Sequence, residues 1–146
     1  MRVKLFLLLP VIFLSSIGWH YDLDQAKEIA KKEHRHILLN FSGSDWCGPC
    51  IRMRTEIFES EVFQKMADTQ LVLVNADFPR MKKNQLPLQQ QDLNNKMADH
   101  YNSKGRFPFT LLLDENGKVL KQWDGLPNLT AAAFTVEVRN GIYGDK

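Results

Sequence analysis

The chain has 146 residues, room for one domain and not two. Hydrophobic residues at 44% and charged residues at 25% are those of an ordinary globular protein, which excludes a disordered or fibrous chain. Lys and Arg number 19 against 17 Asp and Glu, a balance too even to mark a nucleic-acid-binding surface.

Arg2 and Lys4 precede an uncharged apolar run from Leu5 to Leu14, and Ser16-Ile17-Gly18 supplies small residues at the −3 and −1 positions of a cleavage site. This predicts a secretory signal peptide over residues 1–18 and a mature domain over 19–146. The run is well short of the ~20 residues a spanning helix needs, so no stable membrane insertion is expected after cleavage. Losing Arg2 and Lys4 leaves 17 basic against 17 acidic residues. The expected product is a periplasmic or secreted monomer.

Asp22 with Gln25 three residues on reads as a capping box opening a helix to about His34, with Leu23, Ala26 and Ala30 inward. His36 to Phe41 is a short apolar, β-prone run, expected as a buried strand. His34 and His36 read as its polar entry rather than as metal ligands. Cys50, Met53 and Ile57 fall at i, i+3 and i+7 on one helix face, and Pro49 suits that helix's first turn. Ser60 is expected to cap a short helix carrying Val62, Phe63 and Met66. Leu71 to Val74 is a continuous run suited to a buried parallel strand.

Phe78 to Gln91 has no period and holds Arg80, Lys82, Lys83, two prolines and three consecutive glutamines. It reads as a long loop or insertion, either solvated or docking an acidic partner or substrate. Leu93, Met97 and Tyr101 then line a helix. Phe109–Leu113 and Val119–Trp123 flank Asp114-Glu115-Asn116-Gly117, a strong hairpin signal. Asn128 is expected to cap a last helix with Leu129, Ala132, Ala133 and Val136 inward. Parallel strands joined by helices, then a hairpin, make an α/β fold with a mixed central sheet covered on both faces.

The chemistry lies in Trp46-Cys47-Gly48-Pro49-Cys50. These are the chain's only two cysteines, so a zinc ribbon lacks its second ligand pair and no metal is expected. As a structural disulfide the pair closes a two-residue gap and restricts the unfolded chain little. Redox use is the better reading. Cys47 falls at a helix N-terminus, where unpaired N–H groups and the macrodipole stabilise a thiolate, the nucleophilic form. Cys50, one turn further in, is expected to be more shielded and to resolve.

Strand, WCGPC, helix and a downstream Phe107-Pro108 before a strand together resemble the thioredoxin superfamily, over roughly residues 22–143. The run Thr55 to Phe63 resembles its secreted branch, which includes the C-terminal domain of DsbD-type reductases. The resemblance implies the thioredoxin fold and thiol–disulfide exchange by Cys47 and Cys50, with Trp46, Gly48 and Pro49 shaping the site. It also implies a cis bond at Phe107-Pro108 and a substrate groove bordered by Phe107, Pro108 and Gly125. No cofactor beyond the cysteine pair is expected. Disulfide-bearing exported proteins are the implied substrates and a DsbD-type membrane protein the implied electron donor. Gly-Pro between the cysteines goes with reductases; an isomerase, an oxidase or a non-turnover binding module or holdase are the alternatives. Asn40 stands where many thioredoxins carry a buried acid, with Ser42 to Asp45 one residue longer than the usual connection.

Overall fold

The computed structural model describes residues 18–144. The leader assigned to residues 1–18 therefore lies, Gly18 apart, outside the described residues. Helix α1 (Leu23–Glu33) opens on Asp22, whose Oδ1 accepts the N–H groups of Asp24 at 2.9 Å and Gln25 at 3.2 Å. It closes on His34 in the left-handed region, φ 55°. Strand β1 (His36–Ser42) leads to α2 (Gly48–Arg52), which runs on without a break into a π-helical turn, Met53–Phe58. Ser60 then caps α3 (Glu61–Gln70), accepting from the Phe63 N–H at 3.4 Å. Strand β2 (Leu71–Asp77), helix α4 (Leu88–Tyr101), strands β3 (Phe109–Leu113) and β4 (Val119–Asp124), and helix α5 (Ala131–Tyr143) complete the order.

The sheet runs β2-β1-β3-β4, with β1 and β2 parallel and the other pairs antiparallel. This is the expected mixed sheet. Gly117, at φ 90°, turns the β3–β4 hairpin where Asn-Gly placed it. Alternation along the strands sorts side chains to two faces. Ile37, Leu39, Phe41, Val72, Val74, Phe109 and Leu111 pack against α1 and α4 through Leu23, Ala26, Ala30 and Met97. Leu38, Leu73, Leu112 and Trp123 meet Met53, Ile57, Phe58, Phe63, Met66, Phe134 and Val138 on the other. Toward the C-terminal ends of β1 and β2 this second face turns polar, with Asn40 and Ser42 opposite Asn75 and Asp77. That change places polar groups under the start of α2.

In α3 the inward residues are Phe63, Met66 and Ala67, while Val62 is 42% exposed. Two expectations are corrected. In α5 the cap is Thr130, which accepts from the Ala133 N–H at 3.2 Å, two residues after Asn128. Phe134, Thr135 and Val138 are therefore buried, while Ala132 is exposed and Val136 is 52% exposed. Phe134 settles this register, because its ring meets Phe58, Phe63 and Trp123 at centroid distances of 6.1, 6.1 and 4.9 Å. The second concerns the glutamines: Gln89, Gln90 and Gln91 form the first turn of α4 rather than loop. Gln91 Nε2 donates back to the Leu86 carbonyl at 2.7 Å, and Gln90 Nε2 to that of Tyr21 at 2.8 Å.

The α5 register has a direct test. Phe134→Ala removes a fully buried ring and should cost about 3–5 kcal/mol in urea unfolding. Val136→Ala should stay within about 0.5 kcal/mol of wild type. A larger loss from Val136 would restore the register expected from the sequence.

Candidate active site

Cys47 and Cys50 form a disulfide with Cα atoms 5.2 Å apart, at the head of α2. Cys47 is the N-cap, and the Cys50 N–H donates to its Sγ at 3.3 Å. One of the helix's orphan donors is thus aimed at the sulfur that would carry negative charge in the reduced state. Pro49 takes a first-turn position, and Gly48 and Pro49 are exposed on the outer side of the pair. The expected difference in shielding is not seen, since both cysteines are 5% exposed. They differ in what they face. Cys50 lines a cavity of about 310 Å³ behind the helix, walled by Asn40, Ser42, Asn75, Trp19, Phe58 and Glu59 among others.

Trp46 fixes the outer side. Its Nε1–H donates to the Phe78 carbonyl at 2.8 Å, and its ring meets Phe107 edge-on at 5.4 Å. Phe107 in turn meets Phe78 at 5.6 Å. The bond Phe107-Pro108 is cis, and this aromatic cluster seats it beside the cysteine motif. The Pro108 carbonyl accepts the N–H of Gly125, whose φ of 80° is open to glycine at little cost. The sequence-assigned residues Trp46, Cys47, Gly48, Pro49, Cys50, Phe107, Pro108 and Gly125 therefore gather at one end of the sheet.

Several supporting residues were not legible beforehand. A Cβ at Gly43 would fall inside the Trp46 indole, so this position needs glycine for space. Asn102, buried, accepts from the Arg106 N–H and donates to the Arg106 carbonyl, both at 2.9 Å, clamping the turn that delivers Phe107. Asp45 reaches across to the loop after β2, accepting the N–H groups of Arg80 at 2.9 Å and Met81 at 3.0 Å and the Asn84 amide at 2.9 Å. The Arg80 bond above all, then that of Asn84, holds the Asp45 carboxyl below its usual pKa. The Asp45 bonds span 35 or more residues and the need for Gly43 depends on ring packing, which no local pattern records.

Behind the disulfide a polar ladder crosses three strands. Thr110 Oγ1 donates to Asn40 Oδ1 at 3.0 Å, and Asn40 Nδ2 donates to Asn75 Oδ1 at 3.0 Å. Ser42 Oγ lies 3.1 Å from the same Asn75 oxygen and 3.3 Å from Asp77 Oδ1. Asp77 also accepts from the Ser44 N–H at 2.8 Å. Asn40 is 6% exposed and shares the cavity wall with Cys50, so the position aligned with the family's buried acid does face the inner cysteine. Asp45 is committed to the loop and does not line that wall.

With this geometry described, comparison with known proteins places it. A family model described as thioredoxin-like matches residues 18–115. The disulfide bond reductase DsbH of Chlamydia pneumoniae is 35% identical over 131 residues, which cover 90% of this chain and 76% of that protein. The thioredoxin-related protein DsbJ of the same organism is 36% identical over 78 residues, 53% of this chain and 22% of that protein. Among solved structures, a DsbH oxidoreductase superposes with a TM-score of 0.78 at 30% identity, covering 98% of this chain and 96% of that one. A thioredoxin from Thermus thermophilus superposes at 0.62 with 16% identity, covering 86% and 87%, a likeness of fold alone. Fold and cysteine pair together define a thiol–disulfide oxidoreductase. The chain belongs to the thioredoxin-like family.

Two variants test the geometry. Asp45's folded pKa lies below its unfolded value of about 3.9, so its anchoring is complete above that value and is lost as pH falls through the folded pKa. Hydrogen exchange at the Arg80 and Met81 amides should show that profile. In Asp45→Ala exchange should be on the order of tenfold faster than wild type above about pH 3.9, the difference vanishing as pH falls through the folded pKa; unchanged protection would mean the loop is held elsewhere.

Asn40→Asp would set a carboxylate against Asn75 Oδ1, an acceptor facing an acceptor. Burial and that clash raise the folded pKa above about 3.9. Relative to wild type, the variant should match below that pH and lose about 1–3 kcal/mol as pH rises toward the folded value. Denaturant melts at pH 4 and pH 8 check the sign.

Proposed function

We propose that this chain reduces disulfides in exported proteins, using Cys47 and Cys50 as its only redox group. The observation that carries the reading is the Cys50 N–H on Cys47 Sγ at the head of a helix. A donor on that sulfur favours its thiolate and makes Cys47 the attacking group. The Cys47 thiolate attacks one substrate sulfur, the substrate S–S bond breaks, and the released substrate thiolate takes a proton. Cys50, deprotonated, then attacks Cys47 Sγ, breaking the mixed disulfide; the second substrate thiol leaves and two electrons have passed to substrate.

Asn40 cannot accept a proton from Cys50 as a carboxylate can. The cavity on Cys50's inner side is large enough for water, which gives that proton a route to solvent. Pro108 and Phe107 border the substrate groove, Phe107 pairing its backbone with an extended segment. The reductase direction is supported by the Gly-Pro spacer and by the name of the DsbH relative. A periplasmic setting is supported by the apolar N-terminal segment and the Dsb relatives, and a membrane partner of the DsbD type would supply electrons there.

Cys50→Ser should accumulate mixed disulfides with reducible protein substrates, while Cys47→Ser should not. Trapping by Cys47→Ser would reverse the roles. The reduction potential of the pair should lie near thioredoxin's value of about −270 mV, and a value near the about −120 mV of DsbA would make this an oxidase.

A further inference from the structure

The loop after β2 is part of the active-site rim rather than a remote surface. Asp45, next to Trp46, holds it through three hydrogen bonds, and the Arg80 guanidinium lies 3.6 Å from the Trp46 ring centroid. Arg80, Lys82 and Lys83 thus set three exposed cations within four residues on the loop that Asp45 and Trp46 hold, with Met81 between them 50% exposed. None of the ion pairs among the described residues includes any of the three. The two acids of this region are occupied elsewhere: Asp45 on the loop's N–H groups and Asn84, Asp77 on Ser42 and Ser44. Cations alone are left facing outward.

We propose that this rim selects its substrate disulfides by charge, favouring an extended segment with Asp or Glu beside the attacked cysteine. Such a segment, lying along Phe107-Pro108, brings its acidic side chains over Trp46 to Arg80, Lys82 and Lys83. The guanidinium stacked on the indole is held in place before substrate arrives, so less side-chain entropy is lost on contact. Clustered cations at a reactive site also raise the encounter rate with an acidic partner. The proposal rests on the exchange reaction given above: the dithiol becomes a disulfide, the substrate disulfide a dithiol, with no further reactant.

The test is single-turnover reduction by the pre-reduced chain of three peptide disulfides of equal length, flanked by Asp/Glu, by Ser or by Lys. The acidic peptide should react fastest and the basic one slowest, with a span of about tenfold at low salt that shrinks severalfold near about 0.5 M salt. In Arg80→Gln and in Lys82→Gln/Lys83→Gln the ratio of acidic to basic rates should fall toward one. The ratio is unaffected by a reduced folded fraction. Equal wild-type rates on the acidic and basic peptides would overturn the proposal. So would variants that slow all three peptides by one factor, since the cations would then act on Cys47 itself. No reaction even with the Ser-flanked peptide would overturn the exchange reading beneath it.

Discussion

The packing of Trp46 is the constraint from which the site takes its shape. One side chain ties two distant segments to the motif: its N–H holds the loop after β2 at Phe78 and its face carries Arg80 of that loop, while its edge seats Phe107. Gly43 makes the arrangement possible by leaving the indole its space. The residue immediately after Trp46 is the cap of α2, so the position of the ring and that of Cys47 are set together. A tryptophan suits this role because it buries a large apolar surface while offering one polar handle.

Beneath the motif, the sheet divides its labour along its length. The ends of β1 and β2 near His36 and Leu71 bury aliphatic side chains, and the opposite ends present Asn40, Ser42, Asn75 and Asp77 to the underside of α2. The ladder from Thr110 to Asp77 satisfies these groups through side-chain hydrogen bonds across three strands. Burying polar groups is tolerable only when they are paired, and each member of this ladder has a partner. The π-helical turn after α2 keeps Met53, Ile57 and Phe58 in the core, so the helix leaves the disulfide firmly seated on the sheet.

What was legible in the sequence was local. Asp22 and Ser60 announce their helices because a cap bonds to residues two or three positions away. Gly117 announces its hairpin because the turn needs a positive φ. The motif and Phe107-Pro108 were legible as a combination of types in order. In α5 local signals conflicted: Ala131 to Val138 is apolar on almost every side, and both Asn128 and Thr130 can cap, so only the contacts of Phe134 decide the register. The loop from Phe78 to Leu86 has no period at all. Its order comes from Asp45, Gln85 and Gln91, through bonds that composition does not reveal.

The two borders of the sheet are finished differently. At β2 a single bridge from His20, with N–H to the Leu73 carbonyl at 2.8 Å and carbonyl to the Asn75 N–H at 2.9 Å, covers the outer strand. At β4 no strand lies beyond among the described residues, but Lys118 and Lys121 stand along that border and the register slips between Leu112 and Leu113. Charged side chains and an irregular ladder discourage another chain from adding on as a further strand. Blunted borders of this kind keep one copy of the chain from templating strands onto the next.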